Sequence, residues 1–359
     1  MPKIENVLVL GAYGLVGREI VEALLTKTEL TVIASGRNAA KLEALAKRLP
    51  HARLSTRRLD AYDARELTAA CRDADLVINA VGPYTVGGAD IARSVLESGR
   101  HYVDFSNEQS HYKRLEPLDS LARDKGLLLL AGAGVIPGVS TLMVMRGAER
   151  LPDATDVDLF YAQGRMPDEE SGLGSFLGGV LELSALDRGL QARVESLPEP
   201  FGEVKTYCIP TLEALTVPKR SSVRSLENWW MIGEIPPGME TLLRLLKPHK
   251  REWAYRLFVP LTRWTMRGEF RRAVKKGLTT EAIIKVVVRS TRDRWEGTLR
   301  VEDGGVATAY LPVLAAKQLA EGRLTRTGLV TPVDVFEVDA TFRELEELGW
   351  KLSLQESSA

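Results

Sequence analysis

Residues 7–17, Val7-Leu8-Val9-Leu10-Gly11-Ala12-Tyr13-Gly14-Leu15-Val16-Gly17, constrain the fold more than any other stretch of the chain. Four apolar residues predict a short buried strand, and three glycines at G-x-x-G-x-x-G spacing predict a tight turn. The run that follows sets Val16, Ile20, Ala23 and Leu24 on one side of a helix. A glycine triplet in that strand–turn–helix context binds the pyrophosphate of a dinucleotide. Gly11 permits the reversal, Gly14 lets the backbone approach the anion, and Gly17 lets the helix pack closely on the sheet. The free N–H groups at Leu15 and Val16 and the positive end of the helix then face the phosphate. Gly11, Tyr13, Gly14, Leu15 and Val16 are the expected contacts in this turn.

Strands and helices alternate beyond it. Leu30–Ser35, Arg53–Leu59, Asp75–Val81, His101–Phe105 and Leu127–Leu130 predict five more strands, with helices between them. One of these spans Gly88–Glu97, another starts after Asp63 as N-cap, and a third is interrupted by Pro117. Six such units in about 150 residues predict a doubly wound parallel sheet, an α/β domain of Rossmann type. Leu127 to Met145 is 19 residues without a charge, about the length of a membrane span. Gly132, Gly134, Pro137 and Gly138 break it, so it reads as a buried strand followed by a buried helix.

The end of the second strand bears on cofactor choice. Sites selective for NAD place a carboxylate about 20 residues past the glycine turn, on the ribose 2′-hydroxyl. Here Ser35, Arg37 and Lys41 stand in that region instead, which favours the 2′-phosphate of NADP; the alternative is that the cations are merely solvated. Asp60, at the third strand end, either reaches the adenine or caps a loop. Ala80, Val81, Gly82 and Pro83 end the fourth strand with small residues, where a dinucleotide would cross the sheet. Tyr84 and Asp104 lie at the carboxyl ends of strands four and five. Tyr84 is expected to line the nicotinamide pocket, or else to pack against the cofactor without a proton role. Asp104 is expected to position or deprotonate an amine, or else to cap the next helix.

Gly11–Gly17, Val77–Tyr84, Gly99–Asp104 and Gly132–Gly138, in that order, resemble the saccharopine dehydrogenase-like oxidoreductases. The similarity covers residues 1 to about 145 and returns at Gly328–Pro332. It implies an NADP-dependent oxidoreductase that transfers hydride at a carbon–nitrogen centre of an amino-acid- or polyamine-like substrate. Lipid-associated members of the family imply an alternative, reduction of a lipid-like carbon–carbon double bond at a membrane surface. A non-catalytic NADP-binding redox sensor is the third reading. The short-chain dehydrogenase mechanism needs Tyr-x-x-x-Lys, and none of the nine tyrosines has a lysine four residues later.

Alternation gives way to hairpins after residue 150. Strands are expected at Asp156–Tyr161, Ala192–Glu195, Val204–Tyr207, Ala282–Arg289 and Trp295–Val301, and a helix at Gly172–Leu186. These predict a second α+β domain over 151–305, a mixed sheet covered by helices. Helices at Val306–Glu321 and Asp339–Leu348 predict a segment, 306–354, that packs back on the first domain, and Gln355–Ala359 reads as disordered.

Lys plus Arg and Asp plus Glu number 48 each, so no global field attracts nucleic acid. Two distant cysteines and four histidines without ligand spacing argue against a metal or a disulfide framework. Together with the lack of a signal-like N-terminus, they suit a cytoplasmic protein. Glu240–Lys276 stands apart, with eleven Lys or Arg against three Glu, a net of +8. Trp253, Leu257, Leu261 and Trp264 recur there at helical spacing, and Pro260 is expected to kink the helix. A lid or homodimer contact is the plainer reading of this strip, and peripheral contact with a membrane the other.

Overall fold

A computed structural model describes residues 3–165, 191–232, 238–247, 252–275 and 277–358. The chain divides into two compact units, 1–139 with 305–350, and 140–304 with 351–359. The first break thus falls about ten residues earlier than the strand–helix alternation suggested, and residues 351–354, expected with the first unit, fall in the second.

Unit one is a seven-stranded parallel sheet. Its strands are β1 (Asn6–Leu10), β2 (Thr31–Gly36), β3 (Leu54–Arg58), β4 (Leu76–Asn79), β5 (His101–Asp104), β6 (Leu128–Leu130) and β13 (Gly328–Val330). They lie in the order β13-β6-β5-β4-β1-β2-β3. All pairings are parallel, with Leu10 opposite both Ser35 and Asn79. The order reverses between β1 and β4, the crevice where open sheets of this type bind ligands. Strands buried on both faces explain the unbroken apolar runs of β1, β4 and β6. Between them run α1 (Leu15–Lys27), α2 (Ala39–Arg48), α3 (Ala64–Cys71), α4 (Gly88–Glu97), α5 (Gln109–Leu115) and α6 (Asp119–Asp124). Asp63 caps α3 through the N–H groups of Arg65 and Glu66. The Tyr310–Ala320 helix belongs to this unit, with Tyr310 stacked on Trp350 at 4.5 Å.

Unit two is a mixed sheet. Its strands are β7 (Asp156–Gln163), β8 (Ala192–Leu197), β9 (Gly202–Cys208), β10 (Ser225–Trp230), β11 (Ala282–Arg289), β12 (Arg294–Val301) and β14 (Leu352–Ser358). The order is β14-β12-β11-β7-β10-β9-β8, with only β7 and β10 parallel. One face is covered by α7 (Val139–Arg150), close enough that a Cβ on Gly147 would strike Val288 and Trp295. On the other face Phe160, Ala162, Leu197, Cys208, Trp229 and Val287 form an apolar cluster. Beside it Asp158 accepts from Trp229 Nε1 at 3.1 Å and from Arg289 at 2.7 Å.

One expectation needs correction. Gln355–Ser358 are ordered in β14, because its backbone pairs along the whole of β12 and Glu356 accepts from Arg146 at 2.9 Å. Pro260 lies in the interior of the helix Glu252–Lys275. The face carrying Trp253, Leu257 and Trp264 is turned outward. The helix expected at Gly172–Leu186 lies outside the described residues. Among the described residues no helix is long and apolar enough to cross a membrane, and no cluster could hold a metal ion.

Candidate functional site

The glycine turn sits at the reversal point of the sheet. Gly11 has φ 71°, and a Cβ there would stand 2.8 Å from the Ala80 carbonyl oxygen. Only glycine therefore lets β1 turn against the end of β4. A Cβ on Gly17 would run into the Gly11 carbonyl, which is why α1 can start so close to the strand. Gly14 is the N-cap of α1 and contributes no side-chain cap. The first-turn N–H groups at Leu15 and Val16 are thus left to an anion. This turn fits a dinucleotide pyrophosphate.

Tyr13 links the turn to the second strand. Its ring covers Gly36 so closely that a Cβ there would overlap it. Its hydroxyl accepts from Asn38 N at 3.3 Å, and Lys41 Nζ sits 5.6 Å from the ring centroid. Asn38 caps α2 by accepting from Lys41 N at 3.0 Å. Arg37, Asn38 and Lys41 are exposed at this edge. Ser35 is not among them. It is fully buried, and its hydroxyl donates to Val9 O at 2.9 Å, tying β2 to β1. Asp60 holds its own loop, accepting from Tyr62 N at 3.1 Å while its N–H donates to Glu66 at 2.8 Å.

At the end of β4, Asn79 Oδ1 accepts from Val81 N at 2.9 Å and Asn79 Nδ2 donates to Tyr102 at 2.9 Å. The Asn79 side chain so fixes the Ala80–Val81 backbone, which with Gly82 and Pro83 stays partly or fully exposed at the carboxyl edge. The structure turns Tyr84 and Asp104 inward. Tyr84 is buried and donates to Asn79 O at 2.8 Å. Burial first, and then the Asp104 charge, push its phenol well above the usual range, so it is poorly suited to give up a proton. Asp104 Oδ1 accepts from Ser106 N at 3.0 Å, Ser106 Oγ at 2.7 Å and Gly132 N at 3.1 Å, while Oδ2 pairs with His111 Nε2 at 2.9 Å. Burial alone would raise its pKa, but the bond and charge of His111 with the bonds from Ser106 hold it below the ordinary carboxylate value. The Asp104 carbonyl also accepts from Ala133 N at 2.8 Å. Asp104 therefore fastens β5 to α5 and to the Gly132–Gly138 loop.

Asn79, Ser106 and His111 are the residues the sequence reading passed over. His111 is one of the four histidines that show no ligand spacing. The available signal was its place seven residues after Asp104, one strand-end loop later.

Residues 7–130 match the family model described as the saccharopine dehydrogenase NADP binding domain. A "Lipid droplet localized protein" of Caenorhabditis elegans is 28% identical over 139 residues, 36% of this chain and 33% of that one. A "Probable mitochondrial saccharopine dehydrogenase-like oxidoreductase" of Arabidopsis thaliana is 26% identical over 142 residues, 36% of this chain and 31% of that one. The chain thus spans about a third of the length of these curated relatives. Apo saccharopine dehydrogenase (L-Glu forming) from Saccharomyces cerevisiae has the same fold over 99% of this chain and 100% of its own, with a TM-score of 0.66 at 14% identity. Residues 7–130 are thus similar to the NADP-binding domain of the saccharopine dehydrogenase family, and the chain has the fold of saccharopine dehydrogenase over its length.

Proposed function

We propose that this protein is an NADP-dependent oxidoreductase that transfers hydride at a carbon–nitrogen centre of an amino-acid- or polyamine-like substrate. One observation carries the cofactor half of this reading. The uncapped start of α1 and the exposed Arg37 and Lys41 are joined by the Tyr13 ring into one anion-binding edge. When bound, the nicotinamide cofactor supplies the hydride. The chain's own share is to hold and orient it. Leu15 and Val16 N–H groups receive the pyrophosphate, Arg37 and Lys41 receive the 2′-phosphate, and Asn79 holds the Ala80–Val81 backbone in place. Tyr84 forms a wall at the nicotinamide end. Asp104 is a positioning residue, acting through His111 and the Gly132–Gly138 loop.

The carbon–nitrogen centre follows from the family resemblance. A second reading, reduction of a lipid-like double bond, is favoured by the outward Trp253, Leu257 and Trp264. Screening NADPH oxidation with amino acids plus oxo acids, polyamine precursors and enoyl lipids separates them. Turnover of a soluble amine or imine supports the proposal, and turnover of enoyl lipids alone replaces it with the second reading. NADPH binding without turnover in any class would overturn both and leave a cofactor sensor.

A further inference from the structure

The described exposed residues of the Glu252–Lys275 helix do not scatter around its axis. Positions 253, 257, 260, 264, 267, 271 and 274 recur at intervals of three and four and form one strip, flanked by the exposed Arg256, Arg272 and Lys275. Trp253 is 58% exposed, Leu257 55% and Trp264 69%. Ala254 and Phe258, on the inward side, are 0% and 2% exposed. Trp253, Leu257, Pro260 and Trp264 lie toward the start of the strip with Arg256 beside them, and Arg267, Arg271, Arg272 and Lys275 lie toward its end around Val274. The Met239–Leu246 helix just before it repeats the pattern on a smaller scale, burying Leu243 while Leu245 stays 69% exposed.

Bulky apolar side chains normally avoid such exposure unless something covers them. Two occupants fit a strip of Trp and Leu: a second copy of the chain, or the interface of a lipid layer. Charge decides between them. Glu252–Lys275 holds six Lys or Arg against two Glu, within a segment whose net charge is +8. A self-contact about a two-fold axis would bring these like charges together. An anionic headgroup layer would complement them, with Trp at the headgroup level and Leu in the acyl boundary.

We propose that the Glu252–Lys275 helix, assisted by Leu245 of the helix before it, docks this protein onto an anionic lipid surface. The helix lies along that surface and does not cross it, as its cations and its buried Ala254–Phe258 side require. Docking concerns unit two and stands independently of the proposed redox activity, so it is tested without turnover.

The test is flotation of the full chain with vesicles of phosphatidylcholine alone and of phosphatidylcholine mixed with phosphatidylglycerol, at low and high salt. Binding is expected to the mixed vesicles and to weaken in high salt. Two variants divide the strip: Trp253→Ser with Trp264→Ser, and Arg271→Glu with Lys275→Glu. All four positions are exposed, so unchanged thermal unfolding is expected, and it confirms that the variants fold. Each pair is expected to weaken vesicle binding by roughly tenfold or more. Absence of binding to the mixed vesicles, or binding that neither variant weakens, overturns the proposal. So does a concentration-dependent dimer in sedimentation velocity that the Trp253→Ser, Trp264→Ser variant abolishes, because the strip is then covered by a second copy.

Discussion

His111 Nε2 lies 2.9 Å from Asp104 Oδ2, with both side chains sealed from solvent. The other carboxylate oxygen takes three donors from Ser106 and Gly132. A buried carboxylate so fully occupied is a fastening for the strand end, and its removal strands several donors at once. Asp104→Ala is expected to cost about 3 kcal/mol or more in urea unfolding, since each orphaned buried group costs about 1–3 kcal/mol. Asp104→Asn keeps the shape and loses the charge. The Asp104 pKa is lower in the folded protein than its ordinary value. Its contribution is thus fully present above the ordinary carboxylate pKa and is lost as pH falls through the folded one. Wild-type stability should decline over that acid window, and the Asn variant should show a shallower decline. Equal slopes in the two proteins would contradict this account.

Tyr13 and Gly36 yield a prediction about cofactor choice. The Tyr13 ring rests where a Cβ of residue 36 would be, and its hydroxyl receives the Asn38 N–H that leads into α2. Gly36→Ala forces the ring away and disturbs the placement of Lys41. NADPH affinity is expected to fall by roughly tenfold, the loss of about one charge-assisted contact, while NADH affinity changes little. Fluorescence titration of both cofactors checks this, and equal losses for the two would point to general damage of the turn.

The parallel sheet was legible in the sequence because β1, β2, β4 and β6 are largely apolar runs, while the polar β3 and the mixed β5 follow from their places between helices. β13 was not read as a strand, since Gly328-Leu329-Val330 is too short for any period to show. The polar end of β14, residues 355–358, reads as disordered because an edge strand need bury little, and its order comes from backbone pairing with β12. Site residues divided along the same line. Glycine positions follow from local backbone geometry and could be read directly. Whether Ser35 or Asp104 faces a ligand depends on which side of the strand end meets the core, and partners as distant as Gly132 decide that.

The C-terminal part of unit one is held by a carboxylate that can be tested in the same way. Glu344 accepts from Lys317 at 2.7 Å, Gln318 at 3.1 Å and Arg323 at 3.1 Å. Burial opposes its ionisation, but these bonds with Arg323, Lys317 and Gln318 lower its pKa to about 2. The network is partly open to solvent, so its worth is modest, about 1 kcal/mol after screening. A lowered folded pKa means that this contribution is present above the ordinary carboxylate pKa and lost as pH falls toward 2. Glu344→Gln is expected to lower stability at neutral pH and to narrow its difference from wild type as the solution is acidified. Chemical denaturation at a series of pH values measures that difference, and a gap that stays constant would show the carboxylate charge to be irrelevant.

Arg37 and Lys41 are the two exposed cations at the end of β2, and with Ser35 turned inward they carry the case for a 2′-phosphate. A charge-assisted contact of this kind contributes about 1.5–3 kcal/mol, roughly tenfold or more in affinity. The wild-type chain should therefore bind NADPH at least about tenfold more tightly than NADH. Arg37→Ala should narrow that ratio, and Arg37→Ala with Lys41→Ala should bring it close to unity, with NADH binding nearly unchanged. Raising the salt concentration should narrow the wild-type ratio too, since both side chains are solvent-exposed and screened. Isothermal titration of each cofactor against the three proteins is the measurement. Equal affinity for NADPH and NADH in wild type would remove the cofactor assignment, and a preference that survives the double variant would move it away from β2.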